Sequence, residues 1–219
     1  MKYVICAYRN YGIELYDNLK KKFNFILIKS KKDLSYNKIQ KINPSIIFFP
    51  DWSWKVPEEI VKNFKCVCFH EAPLPKFRGG SPLQNQIIRG KIKTKTTAFI
   101  MNEEIDAGNI ILQKDLSLEG SIEDIFSRMY KNDYSLILKI IKGQYKERKQ
   151  SGKPTFFKRR KPEDSELKSL NYSKEYLYNF IRMLEDPYPN AYIKLGKQKI
   201  IFKKSFYKNK KLTFQGEIL

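Results

Sequence analysis

The chain has 219 residues, 42% hydrophobic and 14% aromatic, and its 43 Lys and Arg against 23 Asp and Glu leave a formal charge of +20. That length suits one domain with at most a small appendage, and no uninterrupted apolar run approaches the ~20 residues of a membrane span. Three cysteines (Cys6, Cys66, Cys68) and one histidine follow neither a disulfide framework nor a metal-ligand spacing, so reduced thiols, no metal and a cytoplasmic location are expected.

The opening MKYVICAYRN has too short an apolar run for a signal peptide and predicts a first strand at 2–8. Apolar spacing predicts a helix over 13–23, a strand at 24–30, a short helix at 34–42 and a strand at 45–50. Pro57 stands near the start of a helix over 56–64, and KCVCF predicts a fourth strand at 65–69. Alternating β and α elements imply an α/β fold, a Rossmann-like, mostly parallel sheet with helices on both faces. Apolar runs at 96–102 and 109–113 flank the acidic turn EEIDAG. A long amphipathic helix is expected within 120–143, with Ser121 as N-cap, Asp124 at N3 and Gly143 at its end. Residues 144–169 are charged and Gly/Pro-containing, which suggests a linker, followed by a helix at 173–184 and a hairpin at 191–208 around Gly196. The expected domains are 1–150, carrying the chemistry, and 151–219, a linker and small helix-hairpin subdomain of α+β type.

The single histidine, His70, ends an apolar run and precedes a Pro- and Gly-rich turn. Ligands of open α/β sheets bind beyond the carboxyl ends of strands, which brings His70, the Trp52–Ser53–Trp54 turn and the Asp106 turn into consideration together. A structural histidine is the alternative at this stage. Only 8 of the 43 basic residues are Arg, and they are spread along the chain. Base-reading surfaces favour Arg, so the charge reads as a solvated Lys-rich surface that can attract an anionic substrate.

LPKFRGG (Leu74, Pro75, Arg78, Gly79, Gly80) and IDAGNI (Ile105, Asp106, Gly108, Ile110), with His70 and Asp106 36 positions apart, resemble the motifs of the 10-formyltetrahydrofolate-dependent formyltransferase family. PDWSWKVPEEI, RGGSPLQNQII and YNFIRMLEDPYPNAY resemble most its bacterial nucleotide-sugar branch, of the pseudaminic-acid-pathway type. The resemblance implies transfer of the formyl group of 10-formyltetrahydrofolate, as cosubstrate, to the primary amine of a nucleotide-linked amino sugar in surface-glycan biosynthesis. A nucleic-acid or membrane partner is not implied, and a homodimer through the 191–208 hairpin is left open. The alternatives are a peptide-synthetase, tRNA or ribonucleotide amine as acceptor, or a non-catalytic basic binding protein on the same scaffold.

Attack of a neutral amine on a formyl carbon creates an oxyanion and requires the amine to shed a proton, work suited to an imidazole oriented by a carboxylate. The resemblance assigns these roles to His70 and Asp106. The family's Asn two residues before the histidine is Cys68 here, a weak hydrogen-bond donor, so Asn85 or Gln84 is the candidate replacement, with capping as the alternative for Asn85. The resemblance implies donor binding by Ser53, Trp54, Leu74, Asn102, Glu103 and Glu104, with a core role as the alternative for Trp54 and a solvated turn as that for Glu103 and Glu104. The acceptor-side candidates are Arg9, in the loop after the first strand with a surface arginine as the alternative, Arg78 as a structural or anion contact, Gly79 and Gly80, which allow close backbone approach, Ser81, Gln84, and Arg182 and Tyr188 in the C-terminal part.

Overall fold

The computed structural model describes residues 1–50 and 52–219. In chain order the elements are β1 (Lys2–Cys6), α1 (Asn10–Leu19), β2 (Asn24–Ile28), α2 (Tyr36–Ile42), β3 (Ile46–Phe49), α3 (Glu58–Asn63), β4 (Cys66–His70), β5 (Arg78–Gly79), α4 (Pro82–Ile87), β6 (Lys93–Ile100), β7 (Ile110–Ser117), α5 (Ile122–Ile141), β8 (Phe156–Phe157), α6 (Lys174–Arg182), β9 (Ala191–Leu195), β10 (Gln198–Lys208) and β11 (Lys211–Ile218). They group into two compact units, each assembled from three stretches of chain: 1–78, 94–116 and 127–156 in the first, and 79–93, 117–126 and 157–219 in the second.

A six-stranded sheet in the order β2-β1-β3-β4-β6-β7 dominates the first unit. β1 pairs parallel with β2 and β3, and β3 pairs parallel with β4. β6 joins β4 antiparallel, Val67 opposite Ile100 and His70 opposite Thr97. The period-2 alternation of a strand divides its side chains between two faces. From β1, Tyr3 and Ile5 enter a core with Leu15 and Leu19 of α1 and Leu136, Ile137 and Ile140 of α5. Val4 and Cys6 enter the opposite core with Ile39 of α2 and Ile60 of α3. Helices therefore cover both faces, and the nearly continuous apolar runs of β1, β3 and β4 follow from that double burial.

α5 begins where its sequence predicts. The Ser121 hydroxyl accepts the Asp124 N–H at 3.1 Å while the Asp124 carboxylate accepts the Ser121 N–H at 2.9 Å, a reciprocal cap that satisfies two backbone donors at the helix start.

In the second unit β9, β10 and β11 form an antiparallel sheet. α6, capped by the Ser173 hydroxyl on the Tyr176 N–H at 3.1 Å, supplies the buried Leu177, Phe180 and Ile181, and β10 supplies the buried Phe202. The third strand is a departure from the expected hairpin at 191–208. Lys208 faces Lys211 across Asn209 and Lys210, both at positive φ (51° and 60°), the backbone of a type I′ turn. Asn-Lys lacks the glycine that normally signals such a turn, so the sequence reading stopped one strand short. No helix among the described residues is long and apolar enough to cross a membrane.

Candidate active site

β4 carries Cys66, Cys68 and His70 on one face, because alternate residues share a side. The His70 imidazole is buried, with 7% of its side chain exposed. Its Nε2 lies 2.7 Å from the Phe77 carbonyl oxygen. A carbonyl can only accept, so Nε2 carries the hydrogen. Nδ1 is left facing the Asp106 carboxylate, 3.7 Å from Oδ2. That distance exceeds a hydrogen bond but leaves two acceptors converging on one space. The structure thus brings together the pair that the resemblance implied.

The route by which Asp106 arrives differs from the expectation. Because β6 runs antiparallel to β4, its end lies beside the start of β4, where the Met101 N–H donates to the Cys66 carbonyl at 2.9 Å. The 102–109 loop then doubles back, and Gly108 sits so tightly over Ile100 that a Cβ would fall 1.7 Å from its carbonyl oxygen. This close approach is the physical reason for glycine in the IDAG motif. The site therefore lies against the face of β4, with Asp106 in the left-handed region at φ 52°.

Cys68 packs among Leu74, Phe99, Ile110 and Met101. Burial, with the Asp106 charge adding to it, pushes its thiol well above the ordinary range. It remains a protonated, weak donor and does not replace an amide. Burial raises Cys66 to about 12 and, with Cys66 adding to it, also raises Cys6. All three cysteines are unpaired.

Strand order reverses direction between β1 and β3, the switch point at which α/β sheets open a crevice. Tyr8 follows β1, and its hydroxyl lies 2.6 Å from the Ser53 hydroxyl. Its ring packs 4.6 Å from Trp54, which packs 4.8 Å from Trp52. The Arg9 guanidinium lies 5.0 Å over Tyr8. Tyr8 was not singled out from the sequence, which placed it inside a first strand at 2–8, whereas β1 ends at Cys6 and leaves Tyr8 beyond its carboxyl end. Of the other donor-side candidates, Leu74 is core. Asn102 accepts the Glu104 N–H at 3.2 Å, Glu103 pairs with Lys62 at 3.0 Å, and Glu104 is exposed.

Several acceptor-side candidates are committed elsewhere. Arg78 donates from Nε and Nη2 to Gln150 Oε1 at 3.1 and 2.7 Å. The close approach at Gly79 and Gly80 is to the chain itself, since a Cβ would fall 2.4 Å from the Phe157 oxygen and 2.3 Å from Arg159 Cα. The Ser81 hydroxyl accepts the Arg160 N–H at 3.1 Å, and Gln84 is buried. Asn85 Nδ2 donates to the Gly80 and Ser81 carbonyls, each at 3.1 Å, which consumes both amide hydrogens. The oxyanion role suggested for Asn85 therefore lacks a donor. Buried Arg182 donates from Nη1 to the Leu118 and Gly120 carbonyls at 2.5 and 2.9 Å, tying chain segments rather than presenting a cation. Tyr188 packs edge-on against Phe126 at 5.9 Å. Among the described residues no cluster of His, Cys, Asp and Glu is placed to hold a metal ion.

Residues 27–141 match the family model described as formyl transferase, and residues 162–218 match that of the methionyl-tRNA formyltransferase C-terminal domain. A methionyl-tRNA formyltransferase of Bacillus mycoides is 30% identical over 79% of this chain and 57% of its own length. The chain thus spans little more than half of the curated relatives it matches. The solved methionyl-tRNA formyltransferase from Clostridium thermocellum is 41% identical at a TM-score of 0.95, covering 100% of this chain and 99% of that one. A solved sugar 3N-formyl transferase, WlaRD, is 18% identical at a TM-score of 0.64, over 92% and 93% of the two chains, a likeness of fold alone. These findings overturn the nucleotide-sugar placement, the amino-sugar partner and the exclusion of nucleic acid. Residues 162–218, expected only as a linker and small subdomain, are the stretch that matches the C-terminal model. A two-faced α/β sheet, the pair of His70 on β4 with Asp106 from the loop after β6, and the match over 27–141 lead to one conclusion: the chain belongs to the formyl transferase family.

Proposed function

We propose that the chain transfers a formyl group from 10-formyltetrahydrofolate to the α-amine of methionine carried on tRNA. The observation that supports this acceptor best is the full-length likeness to the Clostridium thermocellum methionyl-tRNA formyltransferase. The donor follows from family membership, and the folate supplies an activated formyl carbon. The residues present fit it. Trp54, 37% exposed and tilted 49° against the Tyr8 ring, offers a flat surface for a ring, and the exposed 102–105 turn leads directly into Asp106. Ser53, Trp54 and the Asn102–Glu104 turn would hold the donor.

The chain's own contribution is positional and electrostatic. Phe77 fixes the imidazole by engaging Nε2–H. Nδ1 of His70 and the carboxylate of Asp106 then face the same space. An amine proton released there meets two acceptors, and Asp106 stabilises the imidazolium if His70 takes it. With 7% and 16% of their side chains exposed, the two groups act where water screens little.

Purified protein should be incubated with 10-formyltetrahydrofolate and, in parallel, methionyl-tRNA and UDP- and dTDP-linked amino sugars. Formylmethionyl-tRNA, detected by mass after deacylation, is expected, with the sugars unchanged. Transfer to another amine with methionyl-tRNA untouched would overturn the acceptor. No transfer to any amine would overturn the reaction.

A further inference from the structure

We propose that Gln150 is a positioning residue for Asp106. Its Nε2 donates to the Asp106 carbonyl at 2.8 Å and to the Gly108 carbonyl at 2.9 Å. Its Oε1 accepts the Nε and Nη2 hydrogens of Arg78. Two hydrogens and two lone pairs exhaust the capacity of an amide, so the side chain is held from both ends.

The two ends lead to the two partners of His70. One fastens the loop that carries the Asp106 carboxylate, at a backbone conformation that a non-glycine residue keeps only when its surroundings impose it. The other fastens Arg78, the residue after Phe77, whose carbonyl holds the imidazole at Nε2. Gln150 itself is anchored. Two residues earlier, Arg148 and Ile110 exchange both backbone hydrogen bonds at 2.9 Å. Arg78 is anchored too, its N–H donating to the Thr155 carbonyl at 2.8 Å. A single amide thus sets the separation of Asp106 from His70 from both directions. No ligand-binding role is needed for Gln150, because its polar atoms are spent on the chain.

The kinetic consequence rests on the formyltransferase reading, but the positioning can be read without substrate. His70 is the only histidine, so its imidazole ring gives one unambiguous set of NMR resonances. Gln150→Glu keeps oxygens for Arg78 and removes the donors to Asp106 and Gly108, whereas Gln150→Ala removes both halves. In each variant the His70 ring resonances are expected to move toward their positions in Asp106→Asn. With methionyl-tRNA, kcat is expected to fall about 10- to 100-fold, the scale of a misplaced reacting group, while KM for the folate changes less than about threefold. Gln150→Glu should keep the far-UV circular dichroism of the parent. If the His70 resonances of folded Gln150→Glu stay at their parent positions, the proposal is overturned, whatever the kinetics. If they move while the parent protein formylates nothing, the positioning stands and the formyltransferase reading fails.

Discussion

His70 is held through one nitrogen by a backbone carbonyl, which leaves the other for Asp106. Replacement by Asn removes the titratable ring but not the strand that presents it. His70→Asn is expected to lower kcat by roughly 10²- to 10⁴-fold, the range of a lost acid-base group, with circular dichroism and folate affinity retained. Activity within tenfold of the parent would sink the role of the pair. His70 and Asp106 were singled out in the sequence through the motifs that carry the family resemblance. What Arg182, Asn85, Gly79 and Gly80 do was not legible there. The same residue types serve chemistry and scaffolding equally well, and only their partners separate the two: carbonyls for the arginine and the amide, and neighbouring backbone for the glycines.

Among the elements, the first four strands and the interleaved helices were legible from period and caps. What was not legible is that β6 enters antiparallel and so delivers the Asp106 loop from the opposite end of β4. A strand's own residues carry no sign of its neighbour's direction. The start of α5 also meets a testable charge. Its first residue, Ile122, donates its N–H to the Glu185 carboxylate at 3.1 Å. Burial pushes the Glu185 carboxyl above its ordinary range, outweighing the opposing pull of this bond and of Lys204 and Arg182. A carboxyl raised on folding favours the folded state most below its unfolded pKa, and that contribution is lost as pH rises through the folded pKa. Glu185→Gln retains an acceptor for Ile122 and removes the buried charge. It is expected to raise Tm at neutral pH, with the gain shrinking toward pH 4. A gain that is flat with pH, or a loss at pH 7, would show that the ionised carboxylate is net stabilising.

At the scale of the molecule the +20 charge takes on a different meaning once the proposed acceptor is an RNA. A polyanion bound through lysines and arginines releases counterions, so log K falls linearly with log salt. Affinity for methionyl-tRNA is expected to drop at least about tenfold between 50 and 200 mM salt, as even two or three phosphate contacts demand, with folate affinity barely changed. A flat salt profile for the tRNA would return the lysines to the role of a solvated surface, the reading that composition alone supported.

The sequence by itself determined the layered α/β architecture and the capped α5, because period and caps are written within a few residues, while His70 and Asp106 were pointed to by the family resemblance. Tertiary structure decided which groups are free to act. Gln150 reads as one polar residue in a charged stretch until the fold sets it against Asp106 and Arg78, 44 and 72 positions away. Hydrogen bonds at that separation depend on how strands are ordered and how loops return, and neither leaves a local signature in the chain.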